Sequence, residues 1–536
     1  MANGKVISEK KSMSNSAKKK STRCSGLLSR RQFVKAGAAG IGGVVIPSLA
    51  APAFAAKRGG DLKVALTADP ISFDPHLTGN LQGRGTVQSI HDTLFGVDNK
   101  GNLSPMLVER WERPDNKTYL LHLRPGVKFH DQTDFDADAV VYNINRIRNP
   151  ETGSIRSGEI KALDRVEAVG RLTVKMTLKY PFAAFLFPFT DVSGCMGSPT
   201  AFEKYGKERA NLNPVGTGPF KFVGYSQDTE TVLERNGNYW DAGKPYVDRL
   251  ILRPIPTDST RLIELQTGGV DISEGLPLQN ITSLRAQPDI IVSERVGFRW
   301  EYIGFNAKDK FPGGNARFRQ AFQWAIDREA LHHVAYFGTG AIGYSGILPS
   351  HPFHEPAYKP FTHNKDMARK LLDESGMGSA EITAYLRPEP VKQRAAQLVQ
   401  AMAADVGVKI NLEQLDYASH RAKLRAGELP MDMHGSCRYL PDPDQYLPVL
   451  LGSDGSYAKR HCYNNPTMDA LFREQSAAPD RDKRRALFRR ITNLMNEDAI
   501  YVPWHYSSDF KGLSPKVKGF YHTADAIIEY KHISLG

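Results

Sequence analysis

Cysteine is scarce in this chain, with four in 536 residues. No CxxC pair occurs and no Cys/His set has zinc-ligand spacing, which excludes a zinc-finger-type site and a dithiol redox motif. Long apolar runs are missing beyond residue 55; none reaches the roughly 18 residues that a membrane-spanning helix needs. Gly-x-Ser-x-Gly and His-Glu-x-x-His are absent, so the common signatures of serine hydrolases and zinc proteases are not there. Gly216-Thr217-Gly218 lacks the lysine and the length of a phosphate loop. No internal repeat or low-complexity tract follows residue 55. Clustered positive charge is lacking too. The net charge is +12, but residues 1–55 hold ten Lys/Arg against Glu9 alone, which is +9 and leaves +3 scattered over the rest. A nucleic-acid partner needs a basic patch, and none is expected here.

What is present begins at the front. Ser29-Arg30-Arg31-Gln32-Phe33-Val34-Lys35 precedes an apolar stretch, Ala36 to Leu49, and then Ala53-Phe54-Ala55. That order is an export signal, and its paired arginines point to the twin-arginine machinery. The expected mature chain starts near Ala56. Its 481 residues exceed one ordinary core and imply two or three domains. Cys437 and Cys462 flank one segment and form the candidate disulfide of an exported protein, with Cys195 left over and buried.

Periodicity organises the rest. Strands are expected at Asp61–Leu66, Thr118–Leu123, Val169–Leu178, Phe220–Tyr225, Thr231–Arg235 and Val247–Pro254. Helices are expected at Thr86–Phe95, from Asp136 as a cap, and at Ser259–Thr267. A second core opens with Tyr302-Ile303-Gly304-Phe305-Asn306. It continues with a helix over Arg317–Leu331, strands at Glu381–Leu386 and Val408–Leu412, and a helix at Lys392–Ala404. A late helix, Arg481–Glu497, and a strand, Ile500–Trp504, close it. The segment Gly435–Tyr463 reads as irregular. Alternating strands and helices imply an α/β lobe.

Four stretches, in order, carry a family resemblance: Gly60-Asp61-Leu62-Lys63-Val64-Ala65 with Phe73-Asp74-Pro75; Leu103 to Trp111 with Leu123-Arg124-Pro125-Gly126-Val127-Lys128-Phe129-His130; Gly216-Thr217-Gly218-Pro219-Phe220; and Phe318 to Arg328. The chain from Arg58 to about Lys531 resembles the large oligopeptide/dipeptide/nickel-binding solute-binding proteins of ABC transporters. The resemblance implies an α/β fold of two lobes that close on a ligand, with an additional domain inserted in the first lobe. The first lobe would be 58–96, 217–303 and 505–536, the insertion 97–216 and the second lobe 304–504, hinged near 303 and 505. It also implies a periplasmic location, an inner-membrane ABC permease as partner, no catalysis and no cofactor.

In peptide-binding relatives an aspartate four positions before a proline pairs with the ligand ammonium. Counting back from Pro443 gives Tyr439, whose phenol is uncharged near neutral pH and cannot replace that charge-assisted bond. Asp442 or Asp444 is the nearby carboxylate that would compensate, with turn capping beside proline as the structural alternative for both. Arg438 and Arg387 suit an anionic group. Trp300, Trp504 and Tyr439 offer ring faces, Phe73 follows the first strand, and His505 sits at a crossing. His76, His122 and His130 do not cluster as metal ligands. The expected ligand is a small polar solute, opine-like, sugar-derived or a modified amino acid, with a short peptide as the alternative. A periplasmic hydrolase and a sensory binding protein are the competing classes.

Overall fold

The computed structural model describes residues 57–98, 101–437, 442–523 and 526–536, apart from the side chains of residues 208, 298 and 437. The export signal and its cleavage near Ala56 lie outside the described residues. So does the Cys437 side chain, and with it the expected disulfide; Cys462 stands as a free thiol and Cys195 as a buried one.

Asp61–Leu66 is the strand its alternation predicts. Leu62, Val64 and Leu66 enter one core with Phe220, Leu250 and Ile272. Ala65 faces a second core holding Leu262, Leu265 and Phe510. Both faces are therefore covered, as a parallel pairing requires, and this strand runs parallel to Arg249–Pro254 in register Leu62↔Leu250. The hairpin of Phe220–Ser226 and Glu230–Arg235 extends that edge.

The same sheet continues through the molecule. Its order is 409–414, 381–386, 431–437, 291–305, 501–513, 272–274, 61–66, 249–254, 230–235, 220–226. Two long antiparallel strands, Ile291–Phe305 and Tyr501–Leu513, join its halves. Residues 291–295 pair with 509–513, beside Ile272–Glu274. Residues 299–304 pair with 501–507, and residues 299–305 pair on the other side with 431–437. The register breaks twice, between Arg295 and Arg299 and between Glu301 and Tyr302. Gly297 sits in the first break with φ +83°, and a Cβ there would come 2.5 Å from Pro349, so that break needs glycine.

A separate four-stranded antiparallel sheet is built from Val108–Glu112, Thr118–Leu123, Thr173–Leu178 and Leu163–Gly170. Helix Ala137–Arg148 covers it, capped as expected by Asp136, which accepts from the Ala139 N–H at 3.1 Å. Leu121, Val140, Ile144, Val174 and Met176 share its core.

Four expectations change. The first helix is Leu81–Ile90 rather than Thr86–Phe95, because Asn80 caps it and the chain leaves it at His91. Val169–Leu178 is two strands that meet at a turn after Gly170. The helix over Arg317–Leu331 stops at Ala325: Asp327 caps a new turn, and the buried Arg328 guanidinium takes the Gln323 and Pro503 carbonyls at 3.0 Å each. Part of Gly435–Tyr463 is helical, at Leu447–Leu451 and Ser456–Arg460. There Leu447, Leu450 and Leu451 follow helical spacing into the core. Among the described residues no helix is long and apolar enough to cross a membrane.

Candidate functional site

Strands 381–386 and 431–437 run parallel, and 291–305 runs against 431–437. The carboxyl ends of the first two and the residues after the register break of the third therefore meet at one end of the sheet. Open α/β sheets hold ligands at that end. Here it carries a cavity of about 180 Å³ lined by Arg299, Arg387, Tyr417, Arg421, His434 and Arg460, among others.

Local structure places each of these side chains. Asp416 caps helix Tyr417–Ala426, accepting from the Ala418 and Ser419 N–H groups at 2.9 and 3.0 Å. That start sets Tyr417 and Arg421 one turn apart on the same face, and Arg421 Nη1 donates to the Tyr417 hydroxyl at 2.9 Å. The Arg387 and Arg421 guanidinium carbons lie 5.6 and 5.5 Å from the Tyr417 ring centre, and Arg460 lies 4.4 Å from that of Tyr457. These are cation–π distances.

The negative side of the site is smaller. Glu301 Oε1 pairs with Arg299 Nε at 2.9 Å and its Oε2 lies 3.5 Å from Lys392 Nζ. Glu389 pairs with Arg387 at 3.2 Å. Burial alone would raise the Glu301 pKa, but Arg299 and Lys392 outweigh it and hold the carboxyl at about 2. Glu301 is thus a fixed negative charge. Burial, reinforced by Lys392, Arg299 and Arg387, pushes His434 well below its ordinary range, so it faces the cavity as a neutral ring. Four arginines (Arg299, Arg387, Arg421, Arg460) line the cavity, with Lys392 beside Glu301; the carboxylates around them are Glu301, Glu389 and the buried Asp432, which meets His420 at 2.8 Å. Arg421 and Arg460 form no ion pair among the described residues.

Of the residues singled out from sequence, Arg387 lines this cavity. Arg438 and Tyr439 lie outside the described residues, directly after the strand that supplies His434 and Ser436. Asp442 is 2% exposed, and its two oxygens accept from Arg484 at 2.7 and 2.8 Å. Trp300 is buried against Tyr302, ring centres 4.3 Å apart. Phe73 is buried between Phe222 and Tyr225. Trp504 Nε1 donates to the Tyr336 hydroxyl at 3.0 Å, and His505 stacks on the Tyr336 ring at 3.6 Å. Burial takes the His505 pKa down to about 4. These residues are not brought to one place. Arg299, Tyr417, Arg421, His434 and Arg460 were not singled out; the one legible signal was the Asp416 cap with an arginine one turn on.

A second feature joins the small sheet's domain to the second half of the large sheet. The Ala183 N–H donates to the Ser476 carbonyl and Gln445 Nε2 to the Ala184 carbonyl, both at 2.8 Å. Arg481 Nη1 reaches Asn102 Oδ1 at 3.3 Å. Behind this seam the Ser476 hydroxyl donates to Asp444 at 2.6 Å. Burial first, and then the neighbouring Asp442 charge, raises the Asp444 pKa to about 7.

Residues 102–458 match the family described as bacterial extracellular solute-binding proteins, family 5 Middle. The chain is 30% identical over 504 residues to the glutathione-binding protein GsiB of Pectobacterium atrosepticum, covering 92% of this chain and 97% of that one. Among solved structures it resembles the ABC transporter-associated periplasmic binding protein DppA from Helicobacter pylori in complex with the peptide STSA. That match has a TM-score of 0.78 and 25% identity, over 89% of this chain and 98% of the other. The ABC transporter substrate-binding protein CtaP from Listeria monocytogenes matches with a TM-score of 0.81 and 25% identity, over 89% and 100%.

Proposed function

Since the chain belongs to the family-5 extracellular solute-binding proteins, the non-catalytic periplasmic components of ABC importers, we propose that its cargo is a short peptide-type solute. It would be held at the strand-end cavity of the second lobe and handed to an inner-membrane permease. The names of its relatives support this peptide alternative over the opine-like and sugar-derived solutes expected from sequence. The observation that carries the reading is the position of the cavity: at the carboxyl ends of parallel strands, beside the two strands that join the halves.

The same proposal keeps the lobes as 58–96, 217–303 and 505–536, with 97–216 inserted, against 304–504, except that Arg299 and Glu301, paired with strand 431–437, go with the second lobe. The two strands break register at 295–299, opposite 507–509, and at 301–302, opposite 503–505, and both are hinge positions in this reading, the second beside the crossings expected near 303 and 505. A ligand bridging the lobes favours the closed state by its extra affinity for that state. Tyr439 and Arg438, expected from sequence as ligand contacts, are kept as candidates in this proposal. Export through the twin-arginine machinery belongs to this reading, and replacing Arg30 and Arg31 with lysine is expected to block it.

Calorimetric titration with glutathione and with the dipeptide Met-Leu tests the function. The expected result is saturable binding of at least one, with the peptide recovered intact. Failure of both to bind at millimolar concentration, or cleavage of either, refutes the reading.

A further inference from the structure

We propose that the seam between the inserted domain and the second lobe is a closure latch, made and broken as the lobes move, and that the Asp444 carboxyl sets its strength. The inference rests on the lobe assignment proposed for this chain and goes beyond its cargo. Two buried ion pairs fasten the inserted domain to the first lobe: Arg84 with Asp191 at 2.8 Å, and Arg146 with Asp74. The three seam bonds join no two charges. They run from the Ala183 N–H to the Ser476 carbonyl, from Gln445 Nε2 to the Ala184 carbonyl, and from Arg481 to Asn102. Gln445 is half-buried and the Arg481–Asn102 bond is exposed. Hydrogen bonds that water can replace are worth little net, whereas parting a buried ion pair is costly. When the lobes separate, the inserted domain therefore stays with the first lobe, and the seam is what opens.

Asp444 is coupled to two of the three bonds. Gln445 follows it in the chain, and Ser476 donates its hydroxyl to Asp444 at 2.6 Å while its carbonyl receives the Ala183 N–H. The charged and titratable groups around Asp444 are Asp442 on its own turn, Arg484 on helix Arg481–Asp498 and Tyr180 on the inserted domain. Gln475 and Ser476 face it as neutral groups from helix Pro466–Ala477. Arg484 is engaged with Asp442 through two bonds. Asp444 reaches Tyr180 across the seam: burial first, and then the Asp444 charge, raises the Tyr180 hydroxyl. The joined seam keeps the Asp444 carboxyl from water, and it holds its proton up to about pH 7. Opening admits water, which favours the ionised form. Closure therefore takes up a proton. Its contribution from Asp444 is full at acid pH, is lost as pH rises towards 7, and is level above that.

The test uses the full mature protein. Deuterium exchange of the Ala183 N–H, corrected for the intrinsic pH dependence of exchange, reads seam opening without any ligand. Wild type, Q445A and D444N are compared from about pH 5 to about pH 8, and glutathione and Met-Leu are titrated into each. The expected result is that Q445A lowers Ala183 protection and probe affinity by about two- to tenfold, and that a bound probe raises the protection. In wild type both quantities fall as pH rises towards 7; D444N matches wild type at acid pH and exceeds it above about 7. Protection that is equal in all three proteins, with and without a bound probe, shows static packing; it overturns the latch and leaves the peptide-type reading standing. A response to Q445A with no difference between wild type and D444N at any pH overturns the role of Asp444. Protection that responds to Q445A and to pH while neither probe binds upholds the latch and overturns the peptide-type reading. Unchanged melting of Q445A separates a loosened seam from a loosened fold.

Discussion

Asp444 gives the seam between the domains a pH dependence whose sign and size follow from its surroundings. In the folded chain its carboxyl titrates near 7, against an ordinary 3.8, because it is buried beside Asp442. In the unfolded chain it ionises near the ordinary value. Between these two pH values the folded state holds a proton that the unfolded state has lost. This group's contribution to stability therefore falls as pH rises from about 4 to 7, and is level above that. At about 1.4 kcal/mol per pH unit between about 4 and 7, the loss is at most about 4 kcal/mol. D444N removes the titration and keeps an acceptor for the Ser476 hydroxyl. Thermal unfolding of wild type and D444N across this range is the assay, and the difference between the two proteins cancels the titrating groups that do not interact with Asp444. Near pH 4 they are expected to melt together. At about pH 8 the variant should melt several degrees higher, at about 2–4 °C per kcal/mol for a unit of lobe size. An offset that does not change with pH refutes the reasoning.

Two further predictions concern the frame of the second lobe and the hinge. R484M strands the Asp442 charge at 2% exposure and is expected to cost about 3–5 kcal/mol by urea unfolding; replacing Asp442 with leucine in the same protein should restore most of that, and a double variant no better than R484M alone contradicts the ion-pair account. G297A forces a Cβ to 2.5 Å from Pro349 at φ +83° and should destabilise by about 1–3 kcal/mol, with altered ligand affinity by calorimetry; wild-type melting and affinity would show that the register break tolerates a side chain.

The large sheet was legible where apolar residues alternate over a whole strand, as at Asp61–Leu66 and Glu381–Leu386. It was not legible where a capping side chain decides the boundary. Asn80 and Asp327 each set a helix edge by accepting a backbone N–H, and nothing in the apolar spacing records that choice. The order of strands, and so the meeting of residues 299, 387, 421, 434 and 460, follows from long-range pairing that local pattern does not contain. Arg387 was found because it ends a strand. Arg421 and Arg460 were missed because an arginine on a helix looks the same whether it faces solvent or a cavity. Asp442 illustrates the reverse: beside two prolines it reads as a turn or a ligand contact, yet its oxygens serve Arg484, 42 positions on.

The central claim is that this protein captures a short peptide-type solute and releases it unchanged. Mass spectrometry of the small molecules freed on denaturing the protein purified from its native periplasm tests that most directly. The account predicts intact short peptides. A neutral sugar or a cleavage product in their place would contradict it.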